Sequence, residues 1–208
     1  MSLRGERVKL VPVSAEHADE LFAAGHGGDP ALWEYLPYGP FSGVEEMRLW
    51  LGACAASKDP RFFAIVSQPD GRAVGMASYL RFAPDHRVVE IGHIWFGAEL
   101  QRTPAATEAI YLMAAHAFDE LKVRRLEWKC DADNERSRRA ADRFGFTFEG
   151  VFRQHMLVKD RNRDTAWYSL LDGEWPAVRA AFEAWLDEAN FDGDGRQCRS
   201  LGELRRQP

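Results

Sequence analysis

Apolar and polar positions along the chain change period several times, and each change marks an element. Residues 7–13 (RVKLVPV) alternate in the two-residue rhythm of a half-buried strand. Ser14 then stands as a helix cap before EHADELFAA, where Ala18, Leu21 and Phe22 recur at helical spacing. Residues 25–40 show no regular period. They are rich in Gly and Pro, yet carry Trp33, Tyr35 and Tyr38, with Phe41 just beyond. A linker seldom holds so many aromatics, so this loop is expected to fold over either the core or a substrate. Ser42 opens a second helix over 44–57, with Val44, Met47 and Leu51 on one face.

Three strands follow at 62–67, 73–82 and 88–97, with Asp70-Gly71 as a hairpin signal and a second turn near Pro84-Asp85. Alternation along the third puts Glu90, Gly92, Ile94 and Phe96 on one face and Val89, Ile91, His93 and Trp95 on the other. A helix from Pro104 to about Leu121 carries the stripe Ile110, Met113, Ala114, Ala117, Phe118 and Leu121. Residues 124–131 alternate strictly, with Leu126, Trp128 and Cys130 set against Arg125, Glu127, Lys129 and Asp131. Asn134 caps a short helix that stops at Gly145, with Phe146 placed for the accompanying hydrophobic contact. Two strands at 147–153 and 156–171 come next, with KDRNRD (159–164) as a polar turn or wide loop. A last amphipathic helix spans 175–186. The order βαα-βββ-α-β-α-ββ-α predicts a single α/β (α+β) domain over 1–189. Residues 190–208, rich in Gly, Asp and Arg, read as a flexible tail whose removal should leave the fold intact.

Composition excludes more than it assigns. The chain's 208 residues suffice for one core, and 46% hydrophobic with 28% charged residues is ordinary for a soluble domain. A net charge of −5 argues against a nucleic-acid partner. The N-terminus lacks an apolar signal region, and no run approaches the roughly 20 apolar residues of a membrane span. The expected setting is the cytoplasm, with no membrane partner. Cys54, Cys130 and Cys198 are far apart and form no C-x-x-C pair, so neither a metal site nor a disulfide framework is expected.

The candidate chemistry starts at residues 99–109, ELQRTPAATEA. Thr103 is a good N-cap, and Pro104 fits the first helical position. The small side chains of Ala105 and Ala106 leave the helix's first backbone N–H groups uncovered, and Gln101, Arg102 and Thr103 add donors. This is either a well-capped helix packed with alanines or a cradle for a pyrophosphate.

Three motifs in this order resemble those of the GCN5-related N-acetyltransferases (GNAT), nearest the ribosomal-protein alanine acetyltransferase (RimJ/RimL-like) branch. The first is Gln101-Arg102-Thr103-Pro104-Ala105-Ala106 with Thr107-Glu108-Ala109 after it. The second is Asn134-x-x-Ser137 with Gly145-Phe146 and Glu149-Gly150. The third is Glu90-Ile91-Gly92 on the preceding strand. The resemblance covers about residues 7–171. It implies a mixed, mostly antiparallel twisted sheet of about seven strands flanked by helices. It implies acetyl-CoA as co-substrate and a primary amine as acceptor, on a protein N-terminus or a small or peptide-like molecule. The amine attacks the thioester directly.

By the same resemblance, residues 94–100, ending in Leu100, line the pantetheine, and a backbone N–H there polarises the thioester carbonyl. Gln101, Arg102, Thr103, Ala105, Ala106 and Thr107 meet the phosphates. Asn134 caps its helix, touches pantetheine, or both. Arg138 reaches the 3′-phosphate or belongs to a solvated face. Ser137 protonates the leaving thiolate or serves as a second cap residue. The base is Glu90, its pKa raised among apolar residues on the strand's inner face, or His155. Pro104 stands where the family has glycine and removes one donor. That departure leaves a non-catalytic acyl-CoA-binding module as the alternative, and a cofactor-free interaction domain behind it. Exposed sheet edges and the aromatic final helix are compatible with a homodimer.

Overall fold

The strand-forming runs pair into one sheet, seen in a computed structural model that describes residues 1–206. Its strands are β1 (Leu3–Arg4), β2 (Val8–Pro12), β3 (Arg61–Ser67), β4 (Ala73–Ala83), β5 (Val88–Phe96), β6 (Arg125–Asp131), β7 (Thr147–Val158) and β8 (Arg161–Leu171). They lie in the order β1-β2-β3-β4-β5-β6-β8-β7. Every neighbouring pair is antiparallel except β5 and β6. The strand beyond the expected seven is β1, two residues that carry no readable period.

Helices α1 (Ala18–His26) and α2 (Val44–Ala56) pack on β4 and β3. They bury Leu21, Met47 and Leu51 against Trp33, Met76 and Trp95. The aromatic loop thus contributes Trp33 and Phe41 to a core. The other face carries α3 (Pro104–Ala115), α4 (Glu135–Arg143), α5 (Trp175–Leu186) and α6 (Leu201–Arg205). There Ile91, Ile110, Met113, Trp128, Tyr168 and Phe182 form the larger core. Trp175, Phe182 and Trp185 are all buried in it, so the aromatic stripe of α5 serves the domain's own packing and is not free as a dimer face.

Three expectations change. The helix from Pro104 is α-helical only to Ala115 and continues as a π-helical turn, His116–Glu120, beside which the Tyr79 hydroxyl donates to the Met113 carbonyl at 2.5 Å. The break in the last strand pair falls at Lys159-Asp160, not at 154–155. Both residues have positive φ, 50° and 59°, the backbone of a two-residue type I′ hairpin. The turn falls at the start of the polar stretch 159–164, which the sequence marks as a turn or wide loop; the strand break expected at 154–155 is instead a bulge within β7. The segment from residue 190, expected as a flexible tail, folds back on the domain. Asn190 donates to the Trp185 and Arg199 carbonyls, Leu201 is buried, and Arg205 donates to the Asp142 carbonyl. The last two residues of that expected tail lie outside the described residues.

One clasp fixes α3 to the sheet's first edge. The buried Glu108 carboxylate accepts the backbone N–H groups of Glu6, Arg7 and Val8 at 3.1, 2.8 and 2.8 Å. Gly5 is needed beside it, because a Cβ there would lie 2.5 Å from the Glu108 carboxyl.

Candidate active site

The two parallel strands part company half-way. Pairing between β5 and β6 runs from Val88↔Arg125 to Ile91↔Trp128 and then stops. Beyond it β5 continues to Phe96 and β6 to Asp131 without pairing, and a wedge opens between them. The start of α3 stands at the end of β5, and α4 begins just after β6.

Two bulges shape the strand beside that wedge. Between Ser78↔Gly92 and Met76↔Trp95, β4 advances two residues while β5 advances three. The extra residue is at His93, whose φ is +51°. A bulge of this kind inverts the alternation that follows it. His93 and Trp95 therefore do not share the face of Val89 and Ile91. Trp95 joins the core under α1 and α2, Ile94 and Phe96 pack on the other, and His93 stacks on Tyr38 and Phe62 on the same side as Trp95. Between Leu80↔Glu90 and Ala83↔Val88 the reverse holds: β4 advances three residues and β5 two, with Arg81 at φ +51°. That bulge turns Arg81 onto Glu90.

Glu90 is buried, as expected, but its neighbours are charged rather than apolar. Its Oε2 lies 2.7 Å from Arg81 and 2.9 Å from Lys129. Lys129 also reaches Glu127 at 2.8 Å and lies 3.7 Å over the Trp167 ring. Arg125 continues the ladder to Glu127 and makes a two-pronged bond with Glu149. Acids and bases alternate: Glu149, Arg125, Glu127, Lys129, Glu90, Arg81. Arg125, helped by the Ser169 hydroxyl, holds the Glu149 carboxyl down at about 2. The ladder covers the open face of the sheet, which α1 and α2 leave bare. His93 stays neutral there: burial, with Arg81 and Arg163 nearby, pushes its pKa down to about 4.

A roof stands over this face. Lys159 at the β7–β8 tip donates to the Trp33 and Gly39 carbonyls at 2.8 and 2.6 Å, and Arg161 donates to the Glu34 carbonyl. The Tyr35 hydroxyl donates to the Asp133 carbonyl, and Arg136 pairs with Asp29. His155 lies in a bulged stretch of β7, against Thr165 at 2.9 Å and beside Phe152 and Trp167.

On the opposite face the helix starts are built as the caps predict. Thr103 accepts the Ala106 N–H at 3.2 Å and donates to the Leu100 carbonyl. The Ala105 N–H, at the second helical position, falls outside the intrahelical ladder. Arg102 turns the loop with φ +61°, and Gln101 donates to the Phe96 carbonyl. Leu100, Ala106 and Thr107 are buried, and the Thr107 hydroxyl accepts from Arg143. These three side chains are buried, so it is their backbone that the loop can present. Asn134 caps α4 by accepting the Ser137 N–H at 3.0 Å. The Ser137 hydroxyl accepts the Trp128 indole N–H at 3.0 Å, which leaves its own proton to donate. Arg138 is anchored on the Tyr168 hydroxyl and the Ala132 carbonyl.

Residues 7–147 match the family model of the acetyltransferase (GNAT) domain. The chain belongs to the GNAT family. A crystal structure of a GCN5-related N-acetyltransferase from Brucella melitensis superposes with a TM-score of 0.97 at 46% identity, covering 100% of this chain and 95% of that one. YdaF of Bacillus subtilis is 34% identical over 106 residues, 51% of this chain and 57% of that protein. The ribosomal-protein-serine acetyltransferase of Escherichia coli is 29% identical over 96 residues, 46% of this chain and 53% of that one. The GNAT chain thus spans a little over half the length of these two curated relatives.

The sequence-level candidates of this GNAT domain fall on two sides of the wedge. Ser137, Asn134 and the 100–107 loop lie on the helix side, and Glu90 and His155 on the open face. Lys129 and Trp167 stand between Glu90 and His155. Arg81, His93, Lys129, Arg163 and Trp167 were not foreseen. The alternating signs of Arg125, Glu127, Lys129 and Asp131 opposite an inward Glu90 were the available signal. The bulges had none.

Proposed function

We infer that this protein transfers an acetyl group from acetyl-CoA to a primary amine. The observation that carries this is the β5–β6 wedge, with a capped helix start on one side and a roofed, charged floor on the other. The residues fit the co-substrate: small side chains at the start of α3, an N–H of Ala105 off the ladder, and the positive end of the helix dipole favour a pyrophosphate. Arg102 adds a charge at the same turn. Pro104 removes one donor, yet Thr103 and the helix geometry are intact.

Acetyl-CoA supplies the thioester. The amine nitrogen forms the new N–C bond, the C–S bond breaks, and the sulfur leaves with the electron pair. Ser137 gives that sulfur a proton; what supports this is that the Trp128 N–H occupies a lone pair of its hydroxyl and leaves the hydrogen free. Backbone N–H groups at the β5 bulge polarise the acetyl carbonyl. Glu90, one residue below the wedge on the acceptor side, receives the amine's proton through water. Arg81 and Lys129 hold its carboxyl in position. His155 lines the acceptor side.

The test is calorimetric titration of acetyl-CoA into the wild type and Ala105→Glu, with thiol release followed across an amine panel. A glutamate at the second helical position suits the helix itself, so folding is kept while the anion is repelled. Binding to the wild type, its loss in the variant, and amine-dependent thiol release are expected. Binding without release would leave a sensing module. No binding at all would end the reading.

A further inference from the structure

Among the charged side chains of the open face, Arg163 stands outside the ladder, and the Asp131 carboxylate near it is in no ion pair among the described residues either. The ladder from Glu149 to Arg81 pairs every member. Arg163, on β8 opposite Met156 and two residues past the Thr165↔Asp131 pair, belongs to none of these bonds. Its guanidinium makes no hydrogen bond or salt bridge among the described residues, and its Nε is buried without a partner. Asp131, Glu90 and Arg81 are near enough to act on its charge, and burial pushes its pKa down, the direction of a cation short of compensation. Four more buried polar atoms on this side of the sheet lack partners among the described residues: the Tyr38 hydroxyl, His93 Nδ1, Trp95 Nε1 and Trp167 Nε1. They join through contacts already described. Tyr38 stacks on His93, Arg81 and Arg163 flank His93, and Trp167 lies under Lys129. A domain rarely leaves a buried guanidinium N–H and an indole N–H unpaired on one surface unless something else pairs them.

We propose that Arg163 is a specificity residue that binds an oxyanion carried by the acceptor, so that the preferred acceptor is an amine bearing a carboxylate or phosphate a few bonds away. The inference rests on the transferase reading, since it assigns this face to the acceptor. A planar guanidinium with free N–H groups suits a two-oxygen anion, and Trp167 adds a neutral donor. The same arginine disfavours a second ammonium on the acceptor, which makes a polyamine or a lysine-rich segment a poor substrate.

Two measurements test this. In the first, wild type and Arg163→Gln are titrated with inorganic phosphate while the Trp167 indole N–H resonance is followed. A saturable shift in the wild type that is lost in the variant is expected; an equal shift in both, or none in either, overturns the proposal. In the second, kcat/KM is compared for matched acceptors: an amino acid against its amide, and an aminoalkyl phosphate against the amino alcohol. The anionic member is expected to lead by about tenfold or more, the worth of a charge-assisted hydrogen bond. In Arg163→Gln the ratio falls toward one, and Arg163→Lys restores part of it. A wild-type ratio near one overturns the proposal. A lead confined to the carboxylate pair or to the phosphate pair names the source of the oxyanion. Absence of thiol release with every acceptor counts against the transferase reading, while the phosphate titration still decides for or against Arg163.

Discussion

His93 shows how one residue can carry both shape and a titration. Its left-handed backbone makes the bulge, and its ring is packed against Tyr38 and Phe62 with two arginines nearby. The folded ring gives up its proton at about 4, against an ordinary value of 6.5. Between those values the unfolded chain binds more protons than the folded one. The stability due to neutral His93 is therefore complete above 6.5 and is lost as pH falls toward 4, by up to about 1.4 kcal/mol per pH unit. His93→Phe keeps the stacking and removes the proton. Its thermal midpoint is expected to fall less than that of the wild type over this window, and parallel curves would refute the account. His116, whose pKa burial also lowers, contributes in the same direction in both proteins and cancels in the comparison. The loop at 100–107 was legible because caps, prolines and alanines act locally. The facing of His93 was not, because a bulge is decided by the neighbouring strand.

Among the elements, α3 carries the largest share of consequence. Its first turn stands at the end of β5 beside the wedge, and its second turn holds the sheet's edge through Glu108. That carboxylate answers three backbone N–H groups, with Arg7 close by. Glu108→Ala leaves those donors short of an acceptor and is expected to cost about 3 kcal/mol or more. Urea denaturation should show it as a lower midpoint at unchanged slope. A loss below about 1 kcal/mol would mean that water replaces the carboxylate. Most elements were legible from period alone, with bounds within a residue or two at β3, β4, α2 and α5. The exceptions have physical causes. β1 is too short to show a period, the π-helical turn keeps the apolar spacing of a helix, and the irregularity at 154–155 is a bulge decided by the partner strand rather than a strand end.

Across the whole molecule, the C-terminal segment is a closing strap and not a tail. Residues 190–206 cover the outer end of α5, and Asn190 bonds at once to Trp185 and Arg199. Removing residues 190–208 uncovers Trp185 and forfeits the burial of Leu201. A loss of about 3 kcal/mol, roughly 5–10 °C in melting midpoint, is expected. An unchanged midpoint would show the strap to be dispensable. Glycine, aspartate and arginine content concealed it, since the strap is held by a few well-placed side chains and not by an apolar run. The other long-range tie is the pair of bonds from Lys159 to the Trp33 and Gly39 carbonyls, reinforced by Arg161. Fastening the hairpin tip to the loop opposite makes the two segments one body, so that neither shifts over the charged face without the other.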